Sequence, residues 1–324
     1  MDNASMPGSP RILTHKEFWY VDGNVVLHCH GIHFKLYRAR ISRYCKYFQE
    51  RFQHSEDGAN DQLNSMDGFR VHDVPAKVSL GDFEKFVDIL ERPMTHSIKL
   101  LAQDVATSLL RTAHALGCEL IFELATIRLC ALWPGNSITP PGYTADVARY
   151  RDALAMVAAA REYALPVVLK NALYEVLATS AHWTGLALSG LCEADVLCLC
   201  SARLALGDAW RAFILTPPRS DDSGASTCPG HGAAGGGMGS EFWSCGCCIH
   251  ERGARARAWR AAIFEADEVL DKGAVDPLRY DGVPTIREEA VRQRFCRACL
   301  DEWQKSLAAK RKEWWSMLDH LLPS

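Results

Sequence analysis

The stretch VDGNVVLHCHGIHFKLYRARISRYCKYFQERF, Val21 to Phe52, changes its apolar period halfway along. Val25, Leu27 and Cys29 alternate with Val26, His28 and His30, and after Gly31 the alternation resumes at Ile32, Phe34 and Leu36. Period two on both sides of a short glycine-containing turn predicts a β-hairpin, because successive side chains of a strand point to opposite faces. From Arg38 onward the apolar residues stand at Ile41, Tyr44, Cys45, Phe48 and Phe52, a spacing that lines one face of a helix. The expected order is strand, turn, strand, helix.

Outward from this segment, the polar run HSEDGANDQLNSMDG reads as a loop, and FRVHDVP, ended by Pro75, as a third strand. Ser79 or Asp82 is placed to cap a helix whose Phe83, Phe86, Val87 and Leu90 share a face before Pro93 stops it. Residues 98–133 read as two helices broken at Leu116-Gly117-Cys118. Leu101, Val105, Leu109 and Leu110 would form the apolar face of the first, and Leu120, Ile121, Leu124, Ile127 and Leu132 that of the second. PGNSITPPGYT, from Pro134 to Thr144, is a proline- and glycine-rich boundary, followed by helical segments near 145–164, 166–182 and 192–214. TPPRSDDSGASTCPGHGAAGGGMGSE, residues 216–241, has the composition of a flexible linker. The expected division is a disordered tail over 1–14, a domain over 15–134, a helical extension over 144–215, the linker, and a cysteine-bearing helical tail over 242–324. That tail closes on one long amphipathic pattern, EEAVRQRFCRACLDEWQKSLAAKRKEWWSMLDHLL.

With 324 residues the chain is long enough to bury a sizeable core, and 48% apolar with 23% charged residues is ordinary for a globular protein. Thirty-six basic against 39 acidic side chains leave a net charge of -3, so no global field favours nucleic acid or an anionic membrane. No apolar run approaches the roughly 18 residues of a membrane-spanning helix, and the first residues lack a secretory pattern. The thirteen cysteines are therefore expected in a reducing intracellular setting, cytoplasm or nucleus, as core packers, metal ligands or reactive thiols.

The ordered set Asp22-Gly23-Asn24-Val25-Val26-Leu27, Phe34-Lys35-Leu36-Tyr37-Arg38, Ile41-Ser42-Arg43, Tyr47-Phe48, Phe52 and Asp82-Phe83-Glu84 resembles the BTB/POZ domain. The likeness extends to the type of BTB protein abundant in mushroom-forming fungi through Ala160 to Leu169, Ala172-Leu173-Tyr174, Asp276-Pro277-Leu278, Cys296-x-x-Cys299 and Trp315 to Pro323. The resemblance implies an α+β BTB core, a small sheet with a helical bundle, followed by an all-helical C-terminal region. It also implies a non-enzymatic role in protein-protein interaction, by self-association or with another protein. The alternatives are a substrate adaptor of a cullin-type ubiquitin ligase and a zinc-containing transcriptional regulator. The short segment before the first expected strand points away from a swapped dimer, and Phe83-Glu84-Lys85 departs from the apolar-x-Glu triplet of many cullin adaptors.

His28, Cys29, His30 and His33 look like a ligand cluster, but on a strand His28 and His30 face away from Cys29, which favours fold over metal. The tail offers two C-x-x-C pairs, Cys245 with Cys248 and Cys296 with Cys299. Each gives one edge of a zinc tetrahedron, so a structural zinc is the one cofactor these residues suggest. Cys228, His231, Cys247 and His250 are substitutes for one ligand. The opposing reading makes Cys296 and Cys299 core residues and 245–248 an oxidisable loop; the long interval between the pairs exceeds that of a compact zinc ribbon. HGAAGGGMGSE lacks the Lys-Ser/Thr of a phosphate-binding loop, and neither G-x-S-x-G nor H-E-x-x-H occurs. No catalytic residue is expected. Lys310-Arg311-Lys312 reads as a solvated face of a helix whose apolar stripe is Trp303, Leu307, Trp314, Leu318 and Leu321.

Overall fold

Alternating side chains and tight turns build a mixed sheet at the N-terminal end of the chain. The computed structural model describes residues 13–54, 65–93, 100–134, 147–179, 191–218, 252–266 and 268–322. They divide into two compact units, between Trp133 and Pro134. The architecture is α+β, with five strands and twelve helices among the described residues.

In the first unit the strands are β1 (Leu13–Trp19), β2 (Val25–Cys29), β3 (Ile32–Leu36), β4 (Ser65–Met66) and β5 (Phe69–Asp73), in the order β1-β3-β2-β5-β4. The predicted hairpin is β2–β3, antiparallel with Leu27 opposite Phe34 and Cys29 opposite Ile32. His30 and Gly31 turn it with φ of 45° and 85°, the left-handed pair that matches strand twist in a two-residue hairpin. β1 pairs parallel with β3, and β5 parallel with β2. The predicted third strand is β5, and the short β4 joins it through Asp67-Gly68, another pair of positive φ.

Helices α1 (Arg38–Tyr44), α2 (Lys46–His54), α3 (Leu80–Glu91), α4 (Gln103–Leu116) and α5 (Glu119–Leu132) complete this unit. Ser79 caps α3, its hydroxyl accepting from the Asp82 N–H at 3.2 Å, which satisfies one of the donors a helix start leaves open. Phe34, Phe48, Phe83, Phe86, Leu27, Leu36, Ile41 and Leu109 are fully buried, and Phe34 meets Phe83 edge to face at 5.0 Å. The other sheet face is covered at Lys35, whose stem is buried and whose ammonium lies 5.7 Å from the Trp19 ring and 5.3 Å from the Phe69 ring.

Three sequence expectations are corrected. Leu13 and Thr14, placed in a disordered tail, begin β1; Val25 does not open the first strand. The single helix expected through Phe52 is two, because Cys45 takes an extended conformation (φ -116°, ψ 106°) between α1 and α2. Ile41, Cys45, Phe48 and Phe52 are buried all the same, since the break turns both helices toward one core. Leu120 and Ile127 are exposed; the buried stripe of α5 is Ile121, Ala125 and Leu129.

The second unit is helical throughout its described residues: α6 (Val147–Glu162), α7 (Pro166–Ala178), α8 (Glu193–Ile214), α9 (Arg252–Glu265), α10 (Val269–Val275), α11 (Val283–Arg292) and α12 (Arg297–Leu321). Its core is aromatic. The Trp259 ring stands 5.3 Å from those of Trp303 and Phe295, and Trp210 lies 6.3 Å from Trp314. Two buried indole N–H groups find carbonyls, Trp210 at Val269 (3.1 Å) and Trp259 at Ile214 (2.8 Å), which offsets their desolvation; the Trp303 N–H has no partner among the described residues. A Cβ on Gly273 would fall 2.2 Å from the Trp210 ring, so only glycine lets α10 approach α8 so closely. The long pattern at the C-terminus is interrupted, with Arg294 at φ 65° separating α11 from α12.

His72 on β5 packs edge-on against Phe52 at 4.8 Å. Burial, reinforced by Arg70, Arg51 and Arg38, lowers its imidazole from 6.5 to about 4. The neutral form is the one the fold accepts. Stability is therefore complete above pH 6.5 and falls as pH drops toward 4, where the unfolded chain binds the extra proton. Urea midpoints followed against pH should show this decline, and His72→Gln should flatten it.

Candidate functional site

An apolar residue on a helix normally faces a core, and α5 departs from that rule. Leu120 and Ile127 are 56% and 59% exposed, with Leu124 half-buried and Ala131 exposed on the same side. The spacing i, i+4, i+7, i+11 keeps these four within one narrow stripe about 16 Å long. Ile121, Ala125 and Leu129 fill the inward stripe. The helix thus carries two apolar stripes, and among the described residues only the inward one is covered. Arg128 beside the stripe is held inward, its Nε donating to the Leu101 carbonyl at 2.7 Å.

At the hairpin, Cys29 is buried and its Sγ points at the Val78 carbonyl at 4.0 Å. His30 bonds that same carbonyl at 3.0 Å. The strand argument had placed His30 with His28, away from Cys29, and the positive φ of the turn is what redirects it. The His28 and His33 rings lie 4.8 Å apart, tilted by 32°, on the opposite face, where His28 Nδ1 meets Asp73 at 2.8 Å and its Nε2 accepts from the Gly31 N–H. The four residues do not converge. Among the described residues no three histidine, cysteine, aspartate or glutamate side chains are grouped to hold a metal ion.

Of the four residues expected to bind zinc, Cys245 and Cys248 lie outside the described residues, as do Cys228, His231, Cys247 and His250. Cys296 and Cys299 are together, but not as two positions on one helical face. Cys296 is the N-cap of α12, with extended φ and ψ, and its Sγ accepts from the Cys299 N–H at 3.5 Å. Cys299 is buried and packs with Cys296 and Ala298. The described residues fit one edge of a zinc tetrahedron and supply no further ligand.

The second unit has a buried ionic network that sequence reasoning missed. Arg279 donates to both oxygens of Glu175 at 2.8 and 2.9 Å, with side chains only 5% and 4% exposed. Its guanidinium lies 4.8 Å over the Tyr174 ring, and the Tyr174 hydroxyl donates to Asp276 at 2.5 Å. Burial raises the Asp276 carboxyl above the usual aspartate range while Arg279 opposes the shift; burial likewise raises Tyr174. Arg311 on α12 caps the same turn, donating to the Pro277 and Tyr280 carbonyls. It is thus not part of a solvated face, as Lys310-Arg311-Lys312 had suggested. Trp315 packs on Tyr174 at 5.5 Å and receives Lys170 at 4.3 Å, so it belongs to this unit's own packing. Tyr174, Asp276, Pro277 and Trp315 are among the residues that carry the resemblance beyond the first unit.

A cavity of about 480 Å³ between α8 and α10 is lined by Cys200, Arg203, Leu204, Gly207, Arg211 and Asp271, among others. No helix among the described residues is long and apolar enough to cross a membrane. No protein-family model, curated protein or solved structure matches the chain.

Glu175→Gln would remove the carboxylate that holds Arg279 in a two-bond fork, and should cost about 3–5 kcal/mol in urea unfolding followed by tryptophan fluorescence. The double variant Glu175→Leu/Arg279→Met should recover part of that loss, because it removes both members of the fork, although Arg149, 3.5 Å from Glu175, and Asp276 each lose a countercharge.

Proposed function

We propose that the first unit is a protein-docking module of the BTB/POZ kind, without catalytic activity, and that the chain self-associates through the outer stripe of α5. The observation that carries this reading is the second, uncovered apolar face of that helix, in which Leu120 and Ile127 are more than half exposed. The strand-turn-strand-helix order, Asp22-Gly23 ahead of the hairpin, and the capped α3 are what a BTB resemblance implies.

A second copy suits the stripe because its four positions are self-complementary. A two-fold axis across its midpoint sets Leu120 against the partner's Ala131, and Leu124 against the partner's Ile127. Large side chains then oppose small ones, or branched ones of similar size, as antiparallel helix packing requires. Burying each exposed Leu or Ile contributes on the order of 1.5–3 kcal/mol, from which the cost of association is subtracted. Four side chains per copy fall below the area of a standard interface, so the contact is a weak one.

Sedimentation equilibrium of the full chain should show a monomer-dimer exchange in the micromolar range, on the order of 1–100 μM. Leu120→Glu/Ile127→Glu should abolish it and leave the circular dichroism spectrum unchanged, since both side chains face solvent in the monomer. A wild-type chain that stays monomeric but retains another protein, a cullin included, would transfer the surface to a foreign partner and end the self-association reading.

A further inference from the structure

Cys45 and Cys118 are far apart in sequence and come together at two helix breaks. Cys45 separates α1 from α2, and Cys118 is the N-cap of α5, just after the left-handed Gly117 (φ 63°). The backbones run side by side there: the Lys46 N–H donates to the Gly117 carbonyl at 3.3 Å, and a Cβ on Gly117 would lie 3.0 Å from the Lys46 Cβ. The two thiols are buried, and each shifts the titration of the other. Each is followed in sequence by a member of the Lys46–Glu119 ion pair, 2.5 Å long, with side chains 65% and 82% exposed. The sulfurs thus lie one residue beneath solvent, under a surface pair that ordinary salt screens.

From this arrangement we infer that Cys45 and Cys118 form an oxidisable dithiol site, converted by low-molecular-weight disulfides into an intramolecular cross-link between the α1–α2 break and the α4–α5 turn. Cys118 is the attacking sulfur. It sits at the N-terminus of a fourteen-residue helix, where the helix dipole favours a thiolate. The interaction between the two thiols lowers Cys118 and raises Cys45. The Cys118 thiolate attacks one sulfur of the reagent, whose other sulfur leaves as a thiolate and takes up the proton released by Cys45. Cys45 then attacks the Cys118 sulfur and expels the second small thiolate, which takes up the proton released by Cys118. One disulfide forms in the protein as one is cleaved in the reagent; two cysteines are oxidised and the reagent is reduced to two thiols. The cross-link closes a long loop of the first unit and stabilises it largely by constraining the unfolded chain.

The test uses the full-length reduced protein with glutathione disulfide under native conditions, mapped by non-reducing peptide mass spectrometry. Cys29 is the internal reference, equally buried but facing a carbonyl instead of a thiol. The expected result is a Cys45–Cys118 linked peptide that forms at least about tenfold faster than any adduct at Cys29. The thermal midpoint should also rise on oxidation and return on addition of dithiothreitol. In Cys45→Ala the link should be replaced by a glutathione adduct at Cys118; should that variant fail to fold, the mapping of the native chain decides alone. Modification of Cys45 and Cys118 no faster than of Cys29, or a link that forms only in denaturant, would overturn the inference.

Discussion

The Glu175 carboxylate and the Arg279 guanidinium, 104 positions apart in the chain, are both withdrawn from water. Neither ion could be buried alone, because desolvation of a single charge costs several kcal/mol even after the protein relaxes. The fork of two parallel hydrogen bonds accepts one geometry, so α7 and the turn after α10 can meet in only one register. Asp276 and Tyr174 narrow it further, and Arg311 fastens α12 to the carbonyls of the same turn. An apolar contact of equal area would tolerate sliding. Here the buried charge selects which faces of the helices belong together, and the tryptophan-rich core packs within that choice.

The first unit reaches its specificity by a different route. Its sheet is mixed, with the central β2–β3 hairpin flanked by two parallel pairings. Parallel neighbours require long connections, so residues far apart in sequence must be brought together by helices. The chain between β2 and β5 runs through β3, α1, α2 and β4, and Ile41 of α1, Phe48 and Phe52 of α2 and Phe83 and Phe86 of α3 are buried in the core of this unit. Among the described residues α5 keeps Leu120 and Ile127 exposed beside its buried stripe of Ile121, Ala125 and Leu129.

Period and punctuation made much of the architecture legible. The hairpin, the β5 strand, the Ser79 cap and the break at Gly117 all follow from local rules, since alternation, capping and left-handed glycine depend on neighbours a few residues away. Asp67-Gly68 is a hairpin signal as strong as any of these, but it lies inside a polar run whose composition predicts a loop. β1 was less accessible: its burial pattern is mostly exposed, with Phe18 alone fully buried, so no alternation announces it. At the candidate sites, strand geometry correctly separated His28 from Cys29 but misplaced His30, whose turn conformation no period describes.

Sequence by itself determined where the chain would be extended and where helical, and that Cys29, Phe34, Phe48 and Phe83 would be buried, because these outcomes follow from side-chain spacing within a single element. Only the tertiary structure decided that one apolar stripe of α5 is covered and the other left bare, that Arg311 turns inward while Lys310 and Lys312 stay exposed, and that Cys45 meets Cys118. Each of these depends on which surface arrives from elsewhere in the chain, and periodicity within an element carries no information about its neighbour.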